Sequence, residues 1–300
     1  MTIEKPRIDN LELLARQVVE GFIIGLHKSP FHGFSVEFAE HRLYNQGDPL
    51  RHIDWRVFGR TDKLFIKRFE EETNLRCCIV LDTSSSMLYP EDDQRLNKLQ
   101  YSCVAAASLL QLLKRQLDAA ALATFDQQIN YFSQCRSAHS HYRMLTSELQ
   151  NLVNYKGANR HTNTAASLHL VAEQMHRRSL VVIFSDMLDD TENVDDLFAA
   201  LQHLKYNKHE VILFHVMEGT QEINFEFENR PYEFVDLETG DRVKLQPQQI
   251  KETYVERIKE FRKMVADRCH QYQVDLVSVD MSQPVDQVLH AFLMKRNKLM

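Results

Sequence analysis

Oxygen-bearing side chains with the spacing of a metal site follow directly after a short apolar run in the first third of the chain. The run occupies residues 77–81, and the polar residues after it include Asp82, Ser84 and Ser86. Carboxylate and hydroxyl oxygens are hard ligands suited to Mg2+, which prefers octahedral coordination and usually keeps some waters. Three such oxygens do not fill the coordination sphere, so a metal site here requires ligands from other loops.

Two later residues are placed to complete the sphere. Thr162 stands just before a helix-like stretch, and Asp186 follows a second apolar run. Apolar runs of this length are typical of strands buried on both faces of a parallel sheet. Open α/β sheets bind ligands at the carboxyl ends of their strands, so these side chains are predicted to meet there. The predicted ligands of Mg2+, or of Mn2+ in its place, are Asp82, Ser84, Ser86, Thr162 and Asp186.

A helix cap is the alternative explanation for the Asp and Ser residues. Residues of these types commonly start a helix after a strand, because their side chains accept hydrogen bonds from the first free N–H groups. The apolar stripe of the next helix begins only at Leu96 and continues through Leu99 and Cys103. The hydroxyls at positions 84 and 86 are therefore not needed for capping, which favours the metal site.

The pattern Asp82-x-Ser84-x-Ser86, Thr162 and Asp186 resembles the metal-ion-dependent adhesion site of von Willebrand factor type A domains. The resemblance implies that the hydroxyls of Ser84, Ser86 and Thr162 contact Mg2+ directly. It implies that the two carboxylates act mainly through water and orient the hydroxyls. It also implies a coordination position left open for a Glu or Asp side chain of a partner protein.

The segment before the threonine departs from that pattern. Glycines usually precede the threonine in such domains, whereas residues 159–161 read Asn-Arg-His here, with only Gly157 nearby. Thr164 is therefore a second candidate for the same ligand position.

A second resemblance rests on motifs upstream of the site. These motifs are Glu37-Phe38, Arg42-x-Tyr44, Gly47-Asp48, Arg51-x-Ile53-Asp54-Trp55 and Lys67-Arg68-Phe69-Glu70. They are similar to the signature of the bacterial family catalogued as domain of unknown function 58, and the match extends from about Phe31 to the C-terminus. Proteins of this family are typically encoded beside MoxR-type AAA ATPases. The resemblance therefore implies an adaptor that works with such an ATPase in assembling or maturing other proteins.

A metal-dependent hydrolase is the alternative function. It would use the same oxygens, with His161 as a general base. The motifs of other enzyme classes are missing, because the chain has no G-x-S-x-G elbow, no Walker-type phosphate loop and no G-x-G-x-x-G after a strand. The favoured prediction is a non-catalytic, Mg2+-dependent adaptor that binds proteins.

Composition argues against several other classes. With a net charge of -6 and a pI near 6.2, the chain lacks the basic surplus of a general nucleic-acid binder. Its five cysteines are odd in number and lie mostly in apolar runs, which indicates buried free thiols in a reducing compartment. Residues 1–10 lack the apolar core of a secretory signal, and charges interrupt the apolar stretch at 11–26. These features predict a cytoplasmic protein without a membrane span.

Strand and helix patterns alternate from residue 75 onward. This alternation predicts an α/β fold with a doubly wound, mostly parallel sheet, von Willebrand factor type A-like and Rossmann-like. The predicted domains are 1–74, an N-terminal helix with a β-rich arm, and 75–300, the sheet domain, with an inserted hairpin at about 218–246. The arm contains the only tryptophan, Trp55, among arginine and aspartate residues. It is either a compact structural element held by Arg–carboxylate pairs or a recognition surface.

Overall fold

The computed structural model contains two compact units, a larger one of residues 1–30 and 76–300 and a smaller one of residues 31–75. The structure describes residues 10–23, 36–44, 53–71, 75–91, 95–155, 164–188, 194–237, 240–290 and 293. The strands are β1 (Val36–Leu43), β2 (Phe65–Glu71), β3 (Arg76–Asp82), β4 (Ala119–Phe125), β5 (Ile129–Phe132), β6 (Leu180–Ser185), β7 (Glu210–Met217), β8 (Tyr232–Val235), β9 (Arg242–Leu245) and β10 (Asp275–Asp280). The helices are α1 (Leu11–Ile23), α2 (Trp55–Thr61), α3 (Lys98–Arg115), α4 (His139–Val153), α5 (Thr164–Gln174), α6 (Val194–Tyr206) and α7 (Pro247–Gln271).

A six-stranded sheet forms the centre of the larger unit. Its spatial order is β10-β7-β6-β3-β4-β5. Every neighbouring pair is parallel except β4 with the edge strand β5, which is antiparallel. The predicted α/β fold with a doubly wound, mostly parallel sheet is confirmed.

Apolar residues on both faces explain the central position of β3 and β6. Every side chain of β6 is buried, as are those of β3 after Arg76. On one face, Val80 and Ile183 share an apolar cluster with Leu201 of α6, and α5 and α7 contribute to the same cluster. Helix α3 contacts β3, β4 and β7 but adds no residue to that cluster, which places it on the opposite face. Each large apolar side chain buried in this way contributes about 1.5–3 kcal/mol.

The N-terminal helix α1 belongs to the larger unit. Leu11, Ala15 and Val19 form its buried stripe, and α1 contacts α3 and α4. The Leu11 amide also donates a hydrogen bond to Gln150 Oε1 of α4 at 2.9 Å. The division in the structure thus differs from the predicted one, which joined this helix to the arm as residues 1–74. The sequence showed that α1 has a packing face, but it could not show which helices that face meets.

Helix length and composition bear on membrane insertion. Within the described ranges, every helix is too short or too polar to cross a bilayer.

The five cysteines are free thiols, and all but the half-buried Cys135 are buried.

The smaller unit contains the antiparallel pair β1 and β2 together with helix α2. Asp54 explains the helix, because its Oδ1 accepts hydrogen bonds from the amides of Arg56 at 3.0 Å and Val57 at 3.3 Å. These are free N–H groups of the first helical turn. The prediction of a β-rich arm therefore missed this helix. Trp55, at its start, is 63% exposed and packs edge-to-face against Phe58.

The predicted hairpin within the sheet domain is formed by β8 and β9, which pair antiparallel. Its turn residues 238–239 lie outside the described residues. A π-helical turn, Gly219–Ile223, precedes it directly after β7. The ring of Phe225 lies 5.8 Å from that of Phe234 in β8 and 4.3 Å from that of Tyr254 in α7. Aromatic packing thus ties the insertion to the long helix α7.

His209, just before β7, gives the stability of the larger unit a pH dependence. The Ser179 amide donates to its Nδ1 at 3.2 Å, and burial lowers the pKa of the ring. His209 therefore binds a proton less readily in the folded protein than in the unfolded chain, where histidine titrates near pH 6.5, so stability falls as the pH drops below that value. We expect the free energy of unfolding of His209→Gln to fall less steeply between pH 7 and pH 5, by up to about 1.4 kcal/mol per pH unit.

Denaturant titrations at several pH values provide the measurement. His176→Gln is the matched control, because His176 is exposed. We expect this control to keep the slope of the unchanged protein. An equal slope in His209→Gln would contradict the role given to His209.

Candidate metal centre

The carboxyl ends of β3 and β6 lie side by side at one edge of the sheet. Leu81 pairs with Phe184 in the parallel ladder, so the residues that follow the two strands emerge together. Asp82 is 1% exposed, and its Oδ2 accepts a hydrogen bond from Ser185 Oγ at 2.8 Å. Side chains 103 residues apart in sequence therefore meet at the predicted site.

The serines after Asp82 form a compact turn that brings two hydroxyls together. Asp82 Oδ1 accepts a hydrogen bond from the Ser84 amide at 3.0 Å. Ser84 Oγ lies 3.0 Å from Ser86 Oγ, and a short 3-10 turn, Ser86–Leu88, follows. Ser84 is buried and Ser86 is half-buried, so the hydroxyl pair lies between the protein interior and the solvent.

The start of α3 excludes the helix-cap explanation for these residues. Asn97 caps the helix, because its Oδ1 accepts a hydrogen bond from the Gln100 amide at 2.7 Å. The Gln100 side chain in turn accepts one from the Asn97 amide at 3.3 Å. This reciprocal capping box leaves Asp82, Ser84 and Ser86 without a capping role in α3.

Asp186 is paired with the ammonium group of Lys98. Lys98 Nζ lies 2.7 Å from Asp186 Oδ2 and 2.6 Å from Glu222 Oε1. Lys98 is the first residue of α3 and is 0% exposed, while Glu222 belongs to the π-helical turn. The other oxygen of Asp186 accepts a hydrogen bond from the Leu188 amide at 3.1 Å. Both oxygens of this carboxylate are therefore held in place.

The cluster carries more negative than positive charge. Burial, and then the charge of Asp186, raise the pKa of Asp82 to about 7, although hydrogen bonds from Ser84 and Ser185 oppose this rise. The ammonium of Lys98 faces the carboxylates of Asp186 and Glu222, and the charge of Asp186 also acts on Asp82. A divalent cation would offset this excess and favour the ionised form of Asp82.

His215 supports the backbone at the end of β6. Its Nε2 lies 2.9 Å from the carbonyl oxygen of Asp186. Because a carbonyl oxygen only accepts, Nε2 is the protonated nitrogen that donates. Burial lowers the pKa of His215 to about 4, so the ring is neutral at physiological pH.

The two hydroxyls are hydrogen-bonded to each other at a separation that also suits two neighbouring ligands of Mg2+. Neighbouring ligands of an octahedral ion with Mg–O distances of about 2.1 Å lie about 3.0 Å apart, and Ser84 Oγ and Ser86 Oγ are 3.0 Å apart. Among the described residues, no group of three or more His, Cys, Asp and Glu side chains could hold a metal ion. The oxygen donors that the described residues bring together here are the hydroxyls of Ser84 and Ser86 and the carboxylate of Asp82, and these side chains fit Mg2+.

The predicted threonine ligand lies outside the described residues. This applies to Thr162 and also to His161, the base of the hydrolase alternative. Thr164 is the first residue of α5, and only its backbone is described. The choice between Thr162 and Thr164 stays a prediction.

A family model decides the relationship of this chain to known proteins. The model described as "Protein of unknown function DUF58" matches residues 40–264, which is most of the chain. The chain belongs to the DUF58 family. Its relatives include uncharacterized proteins from Mycobacterium bovis and Mycobacterium tuberculosis, each 24% identical over 210 residues, with 69% of this chain and 63% of the relative covered. This DUF58 chain thus spans less than two thirds of the length of those relatives.

Solved structures with a distant likeness to this DUF58 protein include two from Bacteroides. The conserved hypothetical protein BatB from Bacteroides thetaiotaomicron is 14% identical with a TM-score of 0.45, covering 75% of this chain and 100% of that one. An aerotolerance-related membrane protein from Bacteroides fragilis is also 14% identical, with a TM-score of 0.48, covering 76% of this chain and 100% of that one. The SpRpn10 VWA domain is 12% identical with a TM-score of 0.39, covering 72% of this chain and 94% of that one.

Three residues of this centre were not identified from the sequence. Ser185 is the last residue of an apolar run and was assigned to the strand alone. Lys98 stands in the first turn of a helix, where the helix dipole disfavours a cation. This unfavourable position of a lysine is the one signal in the sequence that could have identified Lys98 as part of the centre. Glu222 gives no local signal, because its partner Lys98 lies 124 residues away in sequence.

Replacing Asp82 with asparagine tests the electrostatics of the centre. The pKa of Asp82 is about 7 in the folded protein and near 3.8 in the unfolded chain, so its ionisation lowers metal-free stability as the pH rises between these values. Asp82→Asn removes this ionisation at nearly constant size. In EDTA at pH 8 we expect the variant to be more stable than the unchanged protein, by on the order of 1–3 kcal/mol.

Chemical denaturation at pH 5 and pH 8 measures this difference. The advantage of Asp82→Asn should shrink at pH 5, where most of the Asp82 carboxyl of the unchanged folded protein is protonated. An advantage that is the same at both pH values would contradict this account.

Proposed function

We propose that this DUF58 protein is a non-catalytic, Mg2+-dependent adaptor that binds other proteins at the carboxyl edge of its sheet, with Mn2+ able to replace Mg2+. Membership of the family and the α/β fold are consistent with a role in protein interaction. The observation that carries the proposal is the pair of hydroxyls of Ser84 and Ser86, 3.0 Å apart in a turn that is hydrogen-bonded to the buried carboxylate of Asp82.

The residues of the centre favour a site that remains open to a partner. A bound Mg2+ would supply a Lewis-acidic position that a Glu or Asp oxygen of a partner can occupy. The hydroxyls of Ser84 and Ser86 are neutral, so neither would bring a negative charge into direct contact with the ion. Asp82 and Asp186 are fixed by hydrogen bonds and are suited to orient hydroxyls and water.

Binding rather than catalysis is supported by how the carboxylates are held. Both oxygens of Asp82 accept hydrogen bonds, from the Ser84 amide and from Ser185 Oγ. Both oxygens of Asp186 are likewise engaged, one by Lys98 and one by the Leu188 amide. Carboxylates held in this way are suited to orientation more than to proton transfer.

The nature of the partner follows from the family resemblance. We propose a MoxR-type AAA ATPase in the cytoplasm, with the adaptor acting in protein assembly or maturation. This ATPase would contribute the Glu or Asp side chain that completes the coordination of the metal ion in the DUF58 protein. No nucleic acid is part of this proposal, because the chain has a net charge of -6.

Metal binding is tested by Ser84→Ala. We expect the unchanged protein to bind Mn2+ with one site in an electron paramagnetic resonance titration, and Ser84→Ala to bind at least about tenfold more weakly, which corresponds to about 1.4 kcal/mol. Ser108→Ala is the matched control, because Ser108 is also buried but donates to the Val104 carbonyl within α3. Equal Mn2+ affinity in all three proteins would contradict the proposed metal centre.

Partner binding is tested with a purified MoxR-type ATPase of the same cell. We expect the immobilised DUF58 protein to retain the ATPase in Mg2+ and to release it in EDTA, since the carboxylate of the partner requires the ion. The Ser84→Ala protein should retain much less, and Ser108→Ala should behave like the unchanged protein. Retention that is equal with Mg2+ and with EDTA would count against recognition through the metal.

A further inference from the structure

We propose that Lys98 is a built-in cation of the metal centre that holds Glu222, the chain's own carboxylate, away from the metal position. This inference rests on the proposed function. It assigns to Lys98 and Glu222 the task of keeping one coordination position available for the partner. Lys98 is thus a positioning residue, and Glu222 is a carboxylate that competes with the partner's when it is not restrained.

Burial of the Lys98 ammonium costs free energy, which its contacts have to offset. A fully buried ammonium loses its hydration, which costs several kcal/mol in proteins, and Lys98 is 0% exposed. It also stands at the N-terminal end of α3, where the helix dipole repels a cation. Among the described residues, the two carboxylates that its Nζ contacts at 2.7 and 2.6 Å offset these costs, and the ring of Tyr89 lies 6.0 Å from the same atom.

Glu222 is held on both oxygens. Its Oε1 contacts Lys98 Nζ, and its Oε2 accepts a hydrogen bond from the Glu218 amide at 2.8 Å. Burial raises the pKa of Glu222, and Lys98 is the largest influence that lowers it. The ion pair with Lys98 therefore both orients this carboxylate and favours its charged form.

The turn that carries Glu222 is fixed against the edge of the sheet. The hydroxyl of Tyr89, three residues after Ser86, donates a hydrogen bond to the Gln221 side chain. A Cβ on Gly219 would lie 2.5 Å from both carboxylate oxygens of Asp280, so any larger residue there requires Asp280 to move. The turn is thereby tied to Tyr89, and its Glu222 shares the ammonium of Lys98 with Asp186.

Lys98 therefore separates two carboxylates that would otherwise compete to bind a cation. With Lys98 present, Asp186 and Glu222 share one fixed positive charge. Without it, both carboxylates lose the ammonium that they share, and a dication becomes the remaining counter-charge. Removing the charge of Lys98 is thus expected to tighten metal binding and to close the open position.

The test uses Mn2+ and two neutral replacements of Lys98. Lys98→Gln keeps hydrogen-bond donors, and Lys98→Met keeps the length without donors. We expect each to bind Mn2+ at least about tenfold more tightly than the unchanged protein, and water-proton relaxation to report fewer waters on the bound ion. The double variant Lys98→Gln with Glu222→Gln should return to within about threefold of the unchanged protein, because the competing carboxylate is gone.

Lys114→Gln is the control on the same helix. It removes an equal charge from a lysine that lies 3.8 Å from Glu12 and away from the centre. Its Mn2+ affinity should be unchanged. Circular dichroism of each purified variant, with and without Mn2+, establishes that the comparison is made between folded proteins.

Each outcome decides the inference. Equal or weaker Mn2+ affinity in folded Lys98→Gln and Lys98→Met overturns it and leaves Lys98 a purely structural residue. If neither variant folds, Glu222→Gln alone decides. In that variant Lys98 pairs only with Asp186, so we expect the Mn2+ affinity to fall at least about threefold. Unchanged or tighter Mn2+ binding overturns the inference. Failure of the unchanged protein to bind Mn2+ overturns the proposed function itself, and this inference with it.

Discussion

Burial of charge at the carboxyl edge of the sheet is the constraint on which the centre depends. Asp82, Lys98 and Asp186 are each at most 1% exposed, in surroundings where an unpaired charge costs several kcal/mol. Asp186 meets this constraint through Lys98, whereas within the part of the chain that the structure describes Asp82 accepts hydrogen bonds from Ser84 and Ser185. Burial and the charge of Asp186 therefore raise the pKa of Asp82.

The surrounding fold holds this arrangement on rigid elements. Strands β3 and β6 are neighbours with parallel hydrogen bonding, so their polar ends stay in register. His215 of β7 fixes the carbonyl of Asp186, and the π-helical turn after β7 brings in Glu222. Groups that recognise a ligand bind best when their supports do not have to reorganise. The centre is built accordingly, from strand ends and helix starts.

The sequence predicted the elements of the larger unit closely. The apolar runs before Asp82 and Asp186, for example, are the buried strands β3 and β6. Helix α3 starts a few residues later than its apolar stripe suggested, because the Asn97 capping box and not the stripe sets the first turn. Helix α2 was missed, since its main signal is a single cap, Asp54, in a segment of mixed charges and aromatics.

Local sequence pattern alone determined the class of the sheet, because strand and helix patterns alternate along the chain. It also determined that Asp82, Ser84, Ser86 and Asp186 lie at one edge of the sheet, because the apolar runs fix which strand ends are polar. Tertiary structure alone decided that Ser185, Lys98 and Glu222 join them. A contact such as that between Lys98 and Glu222 joins residues 124 positions apart and leaves no periodic trace in the sequence. Its energy comes from desolvation and pairing of charges, which exist only once the sheet and its helices have excluded water.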